Sequence, residues 1–446
     1  MRNARIVLMG LLMTGACGDD HHKHQPPYPD ASPPPEIDGS TPPGIACAPD
    51  NGGIRLPAGF CATVFADGAG RARQIAVTPT GRVFVAIEPT SATAYDGHVL
   101  ALFDADNDGV AEQRTTFGNV GGTGIAWQDG QLFVAANDRI VRFAMPDGTL
   151  SPPSATPEVA VIGLPATGDN PAKAIAIAGS AMFVNIGSAS NACQLVNRQL
   201  RSPGKDPCPE LATRAGVWRF DAKGKDQKEC CSPRIATGMR DQNALAIDPG
   251  TGTLWAAINE RDELHDDWPS QFTEAQDKRL PAEEVVAVTP GTNRGWPYCY
   301  YDNGAHQMKL APEYGGDSVI QGRCASIAPP PAALAAHAAP LSMAFAAGTQ
   351  FPVAFRSGAF IANHGSRFDA TSGSELHGYD VEFLPFANGG PTGEIRVFAT
   401  GFDAGLRPLP DAAPHRPVGL AMMPDGSLLI SDDQGGRIWR VFFTGK

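Results

Sequence analysis

Apolar residues in this chain come in short runs broken by turns, and one double run recurs six times. In "PVGLAMMPDGSLLISDD", residues 417–433, two apolar stretches flank a Pro-Asp-Gly turn and end in carboxylates. "RQIAVTPTGRVFVAI", "GTGIAWQDGQLFVAA", "AKAIAIAGSAMFVNIG", "QNALAIDPGTGTLWAAIN" and "PLSMAFAAGTQFPVAFRSGAFIANHG" repeat that form upstream. Short apolar runs joined by Gly, Pro and Asp read as β-hairpins. Between them lie further strand patterns such as "HVLALFDAD", "RIVRFAM", "GVWRFDA" and "EEVVAVTP". About four strands per unit, repeated almost without helices, predict an all-β fold: a six-bladed β-propeller of four-stranded blades. Pairing of the last strand, "RIWRVFF", with the early "FCATVFA" would close the ring and remove its exposed edges. The longest insertion falls between the fourth and fifth phrases, where "TEAQDKRLPAEE" is the best candidate for a short helix. A β-sandwich is the rival architecture, but six similar hairpins are too many for one.

Composition adds bounds. Fifty glycines and 40 prolines in 446 residues suit many tight turns, and 42% apolar content is enough for a large core. A net charge of -12 argues against nucleic acid, which needs a basic surface. Arg2 and Arg5 precede the apolar run "IVLMGLLMTG", too short for a membrane span, so residues 1–17 read as an export signal. Cys17 after "TGA" resembles a lipoprotein cleavage site, with Thr14 where Leu is usual; ordinary cleavage near Ala16 is the alternative. Residues 18–46 hold few large apolar side chains and many prolines, and predict an extended tether before a propeller domain spanning 47–446. Its "HHKH" is a solvated tail more readily than a metal site. The expected location is outside the cytoplasm, periplasmic or at the cell surface, with membrane contact only through the lipid.

Eight cysteines besides Cys17 agree with an oxidising compartment. Cys193 with Cys208 and Cys299 with Cys324 each close a loop of moderate length; the spacing also allows Cys47 with Cys61 but leaves that pairing open. Adjacent Cys230 and Cys231 remain unassigned. The chain has no spaced CxxC pairs for zinc and no CxxCH for covalent haem. "DADNDGVAE" places Asp104, Asp106, Asp108 and Gly109 as in the first half of a calcium loop, but Thr115 stands at the twelfth position. It reads either as an acidic turn or as a weak Ca²⁺ site.

The order of "SPGKDPCPELATRAGVWRFDA", "GWPYCYYD", "APEYGGD", "ANHGS" and "RPVGLAMMPDGSLLISDDQGGRIWRV" resembles the pyrroloquinoline-quinone (PQQ) dependent glucose/sorbosone dehydrogenases, which are six-bladed propellers. The resemblance covers nearly the whole mature chain. It implies PQQ and Ca²⁺ as cofactors, a sugar substrate of aldose or sorbosone type, and an external electron acceptor such as a cytochrome or quinone. PQQ carries three carboxylates and an ortho-quinone, so its pocket needs cationic side chains. By segment, Arg240 in "TGMRDQNALAI" falls on the family's active-site arginine, followed here by Asp241 instead of Asn. Arg416 in "HRPVGLA" matches an arginine gripping the PQQ carboxylates, and Lys173 in "NPAKAIAI" a cation facing the pocket. His364 in "ANHGS" is expected to face the axis, and His337 in "AHAAP" to be structural. "INERDELHDD" lines up with the calcium loop, making Glu260 and Arg261 main-chain ligands.

Two departures bear on catalysis. The family's "HGSWNR" is "HGSRFD" here, introducing Arg367 and Asp369. Where the family has a histidine base, this chain has Asn170. An amide cannot take a proton near neutral pH, and Asp169 is the nearest replacement. A catalytically impaired propeller that binds a sugar or a partner is therefore the competing reading. A Ca²⁺-dependent lactonase would need an axial set of Glu, Asn and Asp that the sequence does not assemble.

Overall fold

The computed structural model describes residues 44–91, 96–366, 378–405 and 412–445. Cys17, the export signal, the tether up to residue 43, and Arg367 and Asp369 lie outside the described residues. The described chain forms six antiparallel blades. Blade 1 covers 72–117, blade 2 124–162, blade 3 175–237, blade 4 244–334 and blade 5 340–399. Blade 6 combines three C-terminal strands, Pro417–Met422, Leu428–Asp432 and Ile438–Phe443, with the early strand Phe60–Ala66 on its outer edge. That strand runs antiparallel to the last one, with Phe60 opposite Phe443 and Thr63 opposite Arg440. The expected ring closure is thus present.

Each repeated phrase supplies the two inner strands of a blade. In blade 1, Val83–Ile87 is wholly buried because it lies between two neighbours. Val83, Val85 and Ile87 pack toward blade 6, and Phe84 and Ala86 toward blade 2. The core is accordingly six apolar wedges between adjacent blades, not one central mass. Both faces of such a strand are dry, which is why these phrases read as almost unbroken apolar runs.

At the axis the inner strands come very close. A Cβ on Gly124 would lie 2.6 Å from the Lys173 carbonyl oxygen, and one on Gly419 2.4 Å from that of Arg73, so neither position has room for a side chain. Gln74 of blade 1 reaches across, its Nε2 donating to the carbonyls of Asn243 (2.7 Å) and Leu341 (2.9 Å) on blades 4 and 5. This amide bridge ties opposite sides of the ring together.

The long insertion within blade 4 carries a hairpin, Cys299–Asp302 with Gln307–Leu310, held by the Cys299–Cys324 disulfide. Cys193–Cys208 and Cys47–Cys61 are also formed. The helix expected over "TEAQDKRLPAEE" shrinks to one capped turn, Glu274–Asp277, while Glu283 and Glu284 begin a strand. Pro281 accounts for the difference, since it cannot continue a helix.

Candidate active site

The residues singled out from the sequence gather largely at one end of the axis, where the inner strands begin and the second strands end. Arg73 lies at the start of Ala72–Val77, Lys173 just before Ile175–Ala178, Asp241 just before Ala244–Ile247 and Arg416 just before Pro417–Met422. Glu260 follows Leu254–Ile258, His364 follows Gly358–Asn363 and Asp433 follows Leu428–Asp432. Polar residues cluster there because the wedges end and the loops begin.

Two ionic networks occupy this end. In the first, Asp433 accepts from Arg73 Nη1 at 2.5 Å and meets His364 Nε2 at 2.8 Å. Burial alone would raise the Asp433 carboxyl, but His364 and Arg73 outweigh it and hold it well below the carboxylate range. Burial holds the His364 imidazole below its ordinary value, against the pull of Asp433. Arg416 Nε donates to the His364 carbonyl at 2.9 Å, and its Nη2 to that of Gly365 at 3.2 Å. Arg416 thus clamps the backbone that carries the imidazole.

The second network centres on Asp241 and Asp262. Asp241 is buried and accepts from Asn243 Nδ2 at 2.8 Å and from Asn185 Nδ2 at 3.4 Å. Burial raises its carboxyl, opposed by the charges of Arg240, Lys173 and Arg73. Asp262 lies 3.4 Å from Arg240 Nη2, 3.6 Å from Arg198 Nη2 and 3.2 Å from His337 Nδ1. His337 also donates from Nε2 to the Asp277 carbonyl at 2.7 Å. It is buried and doubly held, in keeping with a structural role.

Lys173 does not point freely into the site. Its side chain is fully buried, and its ammonium donates to the carbonyls of Pro165 (2.9 Å) and Pro171. Burial, reinforced by the charge of Arg214, brings its pKa down to about 7.

Three expectations need correction. Asp169 is not poised as a base: its carboxylate accepts from Arg198 Nε at 3.0 Å and from Asn197 Nδ2 at 3.2 Å. Asn170 is buried and spends its amide on Ser188, donating to Oγ at 2.9 Å, so it faces structure and not chemistry. The carbonyl of Glu260 accepts from Arg240 Nη1 at 2.9 Å, and that of Asn259 from the same nitrogen at 3.3 Å. A divalent cation on the Glu260 carbonyl would face that guanidinium at close range, so Glu260 does not fit the calcium site drawn from the resemblance. The guanidinium of Arg261 pairs with Glu313 at 2.6 Å.

The donor set fits a polyanion better. Arg240 Nε and both amide atoms of Gln242 are buried with no hydrogen-bond partner among the described residues. Orphaned buried donors carry a desolvation cost of about 1–3 kcal/mol each unless a ligand or water receives them. Arg73, Asp433, Asp262 and Gln242 were not identified from the sequence. The polar residues that open and close each repeated phrase were the available signal.

Asp104, Asp106, Asp108 and Glu112 do converge, with ligand atoms within 4.8 Å of one another. Asp104 is already paired with Arg440 Nη1 at 2.8 Å. This acidic turn lies between outer strands of blade 1, away from the axial networks.

Solved structures share this architecture. A family AA12 carbohydrate-active enzyme from Trichoderma reesei superposes with a TM-score of 0.67 at 19% identity, over 87% of this chain and 96% of that one. The PQQ domain of a pyranose dehydrogenase from Coprinopsis cinerea gives 0.69 at 18% identity, over 90% and 99%. PQQ-bound aldose sugar dehydrogenase from Streptomyces coelicolor gives 0.52 at 17%, over 87% and 99%. At such identities the likeness establishes the fold. A curated relative, an uncharacterized protein of Borreliella burgdorferi, is 26% identical over 219 residues, 47% of this chain and about half (48%) of its own length. Residues 54–442 match the model of one family along almost the whole propeller, and the chain belongs to that TrAA12-like family.

Proposed function

We propose that this protein is an exported quinoprotein that oxidises an aldose or sorbosone-type sugar with PQQ and passes the electrons to a separate acceptor such as a cytochrome or quinone. The observation that carries the reading is the set of buried, unpartnered donors on Arg240 and Gln242 at the end of the axis that also holds Arg73, His364 and Arg416. Membership in the TrAA12-like family supports it, as does the shared fold of a pyranose dehydrogenase PQQ domain and a PQQ-bound aldose sugar dehydrogenase.

PQQ, when bound, supplies a quinone able to accept a hydride from a sugar carbon. The chain's own groups do the rest. Arg240 Nε and the Gln242 amide would hold a carboxylate or quinone oxygen, and Arg73 keeps Asp433 ionised. His364 is the imidazole of the set. With Asp433 on Nε2, its Nδ1 is left to take the sugar hydroxyl proton, and the ionised Asp433 stabilises the imidazolium so formed. A neutral imidazole at pH 7 is the competent form, and burial favours it.

The test is reconstitution. Purified protein incubated with PQQ, with and without added Ca²⁺, should retain quinone absorbance after desalting and reduce an artificial dye when sugars are supplied. Retained quinone without turnover on any sugar would move the reading to a binding propeller. Failure to retain PQQ under either condition would overturn it.

A further inference from the structure

Three disulfides account for six of the eight cysteines outside Cys17, and the last two are neighbours in sequence. Cys230 and Cys231 are both exposed, with their sulfurs 3.1 Å apart. They lie on a single 3₁₀ turn, Glu229–Cys231, in the connection between the two outer strands of blade 3, Gly216–Asp221 and Arg234–Thr237. The turn is fixed on both sides. Gln227 pairs with the outer strand of blade 2, where Ile162 donates to its carbonyl at 2.9 Å and its own N–H reaches Ala160 at 3.1 Å. Within the turn, Cys231 N–H donates to Lys228 at 3.2 Å and Ser232 N–H to Glu229 at 3.2 Å. The sulfurs therefore meet on an anchored surface element and not on a free loop.

We propose that Cys230 and Cys231 form a redox-labile vicinal disulfide on the rim of blade 3, made and broken by thiol–disulfide exchange while the three long-range disulfides stay closed. In the forming direction, a disulfide donor, either an oxidase's dithiol/disulfide centre or oxidised glutathione, is attacked by one cysteine thiolate. The mixed disulfide is then resolved by the neighbouring sulfur. Two thiols lose two protons and two electrons to one S–S bond, and the donor leaves as two thiols.

Chain parity and the sulfur separation give the pairing. The fold gives the lability. A bridge between adjacent residues closes no chain loop, so it removes almost no entropy from the unfolded state and adds little stability. The eight-membered ring is also exposed, unlike Cys193–Cys208 and Cys299–Cys324, whose sulfurs belong to buried clusters. Exposed, strained disulfides have the higher reduction potentials and are the ones that exchange. In the reduced pair, the hydrogen bond that the Cys230 thiol shares with the Cys231 sulfur holds the Cys230 pKa above its ordinary value.

The full chain, exported and purified without reductant, should be alkylated, digested and mapped by mass. The peptide holding Cys230 and Cys231 should be unalkylated and two hydrogens lighter than the dithiol. Graded dithiothreitol should free these two thiols at reductant concentrations about tenfold or more below those that open the other three bridges. Cys230→Ser should leave Cys231 alkylatable without reductant and the melting temperature unchanged. Alkylation of both cysteines after incubation with oxidised glutathione would refute the proposal. So would a cross-link from this peptide to another chain, or reduction no easier than that of Cys299–Cys324.

Discussion

His364→Ala in the PQQ-loaded protein should lower turnover by about 10²–10⁴-fold, the usual contribution of a positioned base, while leaving quinone retention nearly intact. The effect is expected to be large because neither of the residues named from the sequence as a base or its replacement can take over. Asn170 donates its amide to Ser188, and Asp169 is paired with Arg198. His364 alone combines an imidazole, a carboxylate on Nε2 and a guanidinium clamp on its backbone. Asp433→Asn should lose part of the same factor by weakening the imidazolium. Asp169→Asn should change turnover by less than about threefold, as for an exposed ion pair. Asn170→His should bring no gain, because that site is buried and tightly packed: a Cβ on Gly187 would lie 2.7 Å from the Asn170 Cβ. Steady-state dye reduction with parallel absorbance of bound quinone separates the outcomes. If His364→Ala also lost the quinone, His364 would hold the cofactor, the role the sequence resemblance gave it. Turnover within about threefold of the parent would remove His364 from the chemistry altogether.

The second large effect concerns Lys173 and pH. Its folded pKa is about 7 against an ordinary 10.5, so the folded protein binds fewer protons than the unfolded chain between those values. Stability must then rise with pH across that interval. The penalty for this lysine is fully present below about pH 7 and is lifted as pH approaches 10.5. At about 1.4 kcal/mol per pH unit, the interval corresponds to roughly 5 kcal/mol. Lys173→Met should remove that rise, so denaturant-unfolding curves for parent and variant should diverge with pH between 7 and 10. The comparison isolates Lys173 because Glu283, whose range overlaps only between about 7 and 8 and acts with opposite sign, is present in both proteins. Burial raises the Glu283 pKa to about 8, so its contribution falls as pH rises from 4.5 toward 8, in both proteins. Parallel curves would mean that Lys173 stays charged at neutral pH. A bound polyanion should raise the lysine's pKa again, so PQQ binding near pH 8 should be accompanied by proton uptake.

The blades were legible because the inner strands are dry on both faces. "RVFVAI" alternates between two wedges and so reads apolar throughout, and the six hairpin phrases mark six blades without ambiguity. Outer strands were harder. Gln113–Phe117 is mostly exposed and carries no apolar alternation, so no pattern announces it. Two of the three disulfides followed from loop spacing, which left Cys47–Cys61 open. The site was legible only in residue type. The sequence marked Arg240, Arg416 and His364 but not what each would touch. Asp433, the partner of His364, comes from another blade and is joined by ring geometry, whereas Asp262 meets Arg240 across the two ends of the inner hairpin of blade 4. The same geometry moved Glu260 from calcium ligand to arginine acceptor, a change no spacing rule contains.

The shared last blade also dictates a timetable. Phe60–Ala66 is made well before blades 1 to 5, yet its partner Ile438–Phe443 is made only after them. Every intermediate with blades 1 to 5 assembled still lacks the clasp, and its two end wedges stand open. Such long-range pairing slows folding and prolongs the exposure of apolar edges. The ring can therefore be finished only once Ile438–Phe443 has been made, and a chain stopped before that strand would remain an open horseshoe.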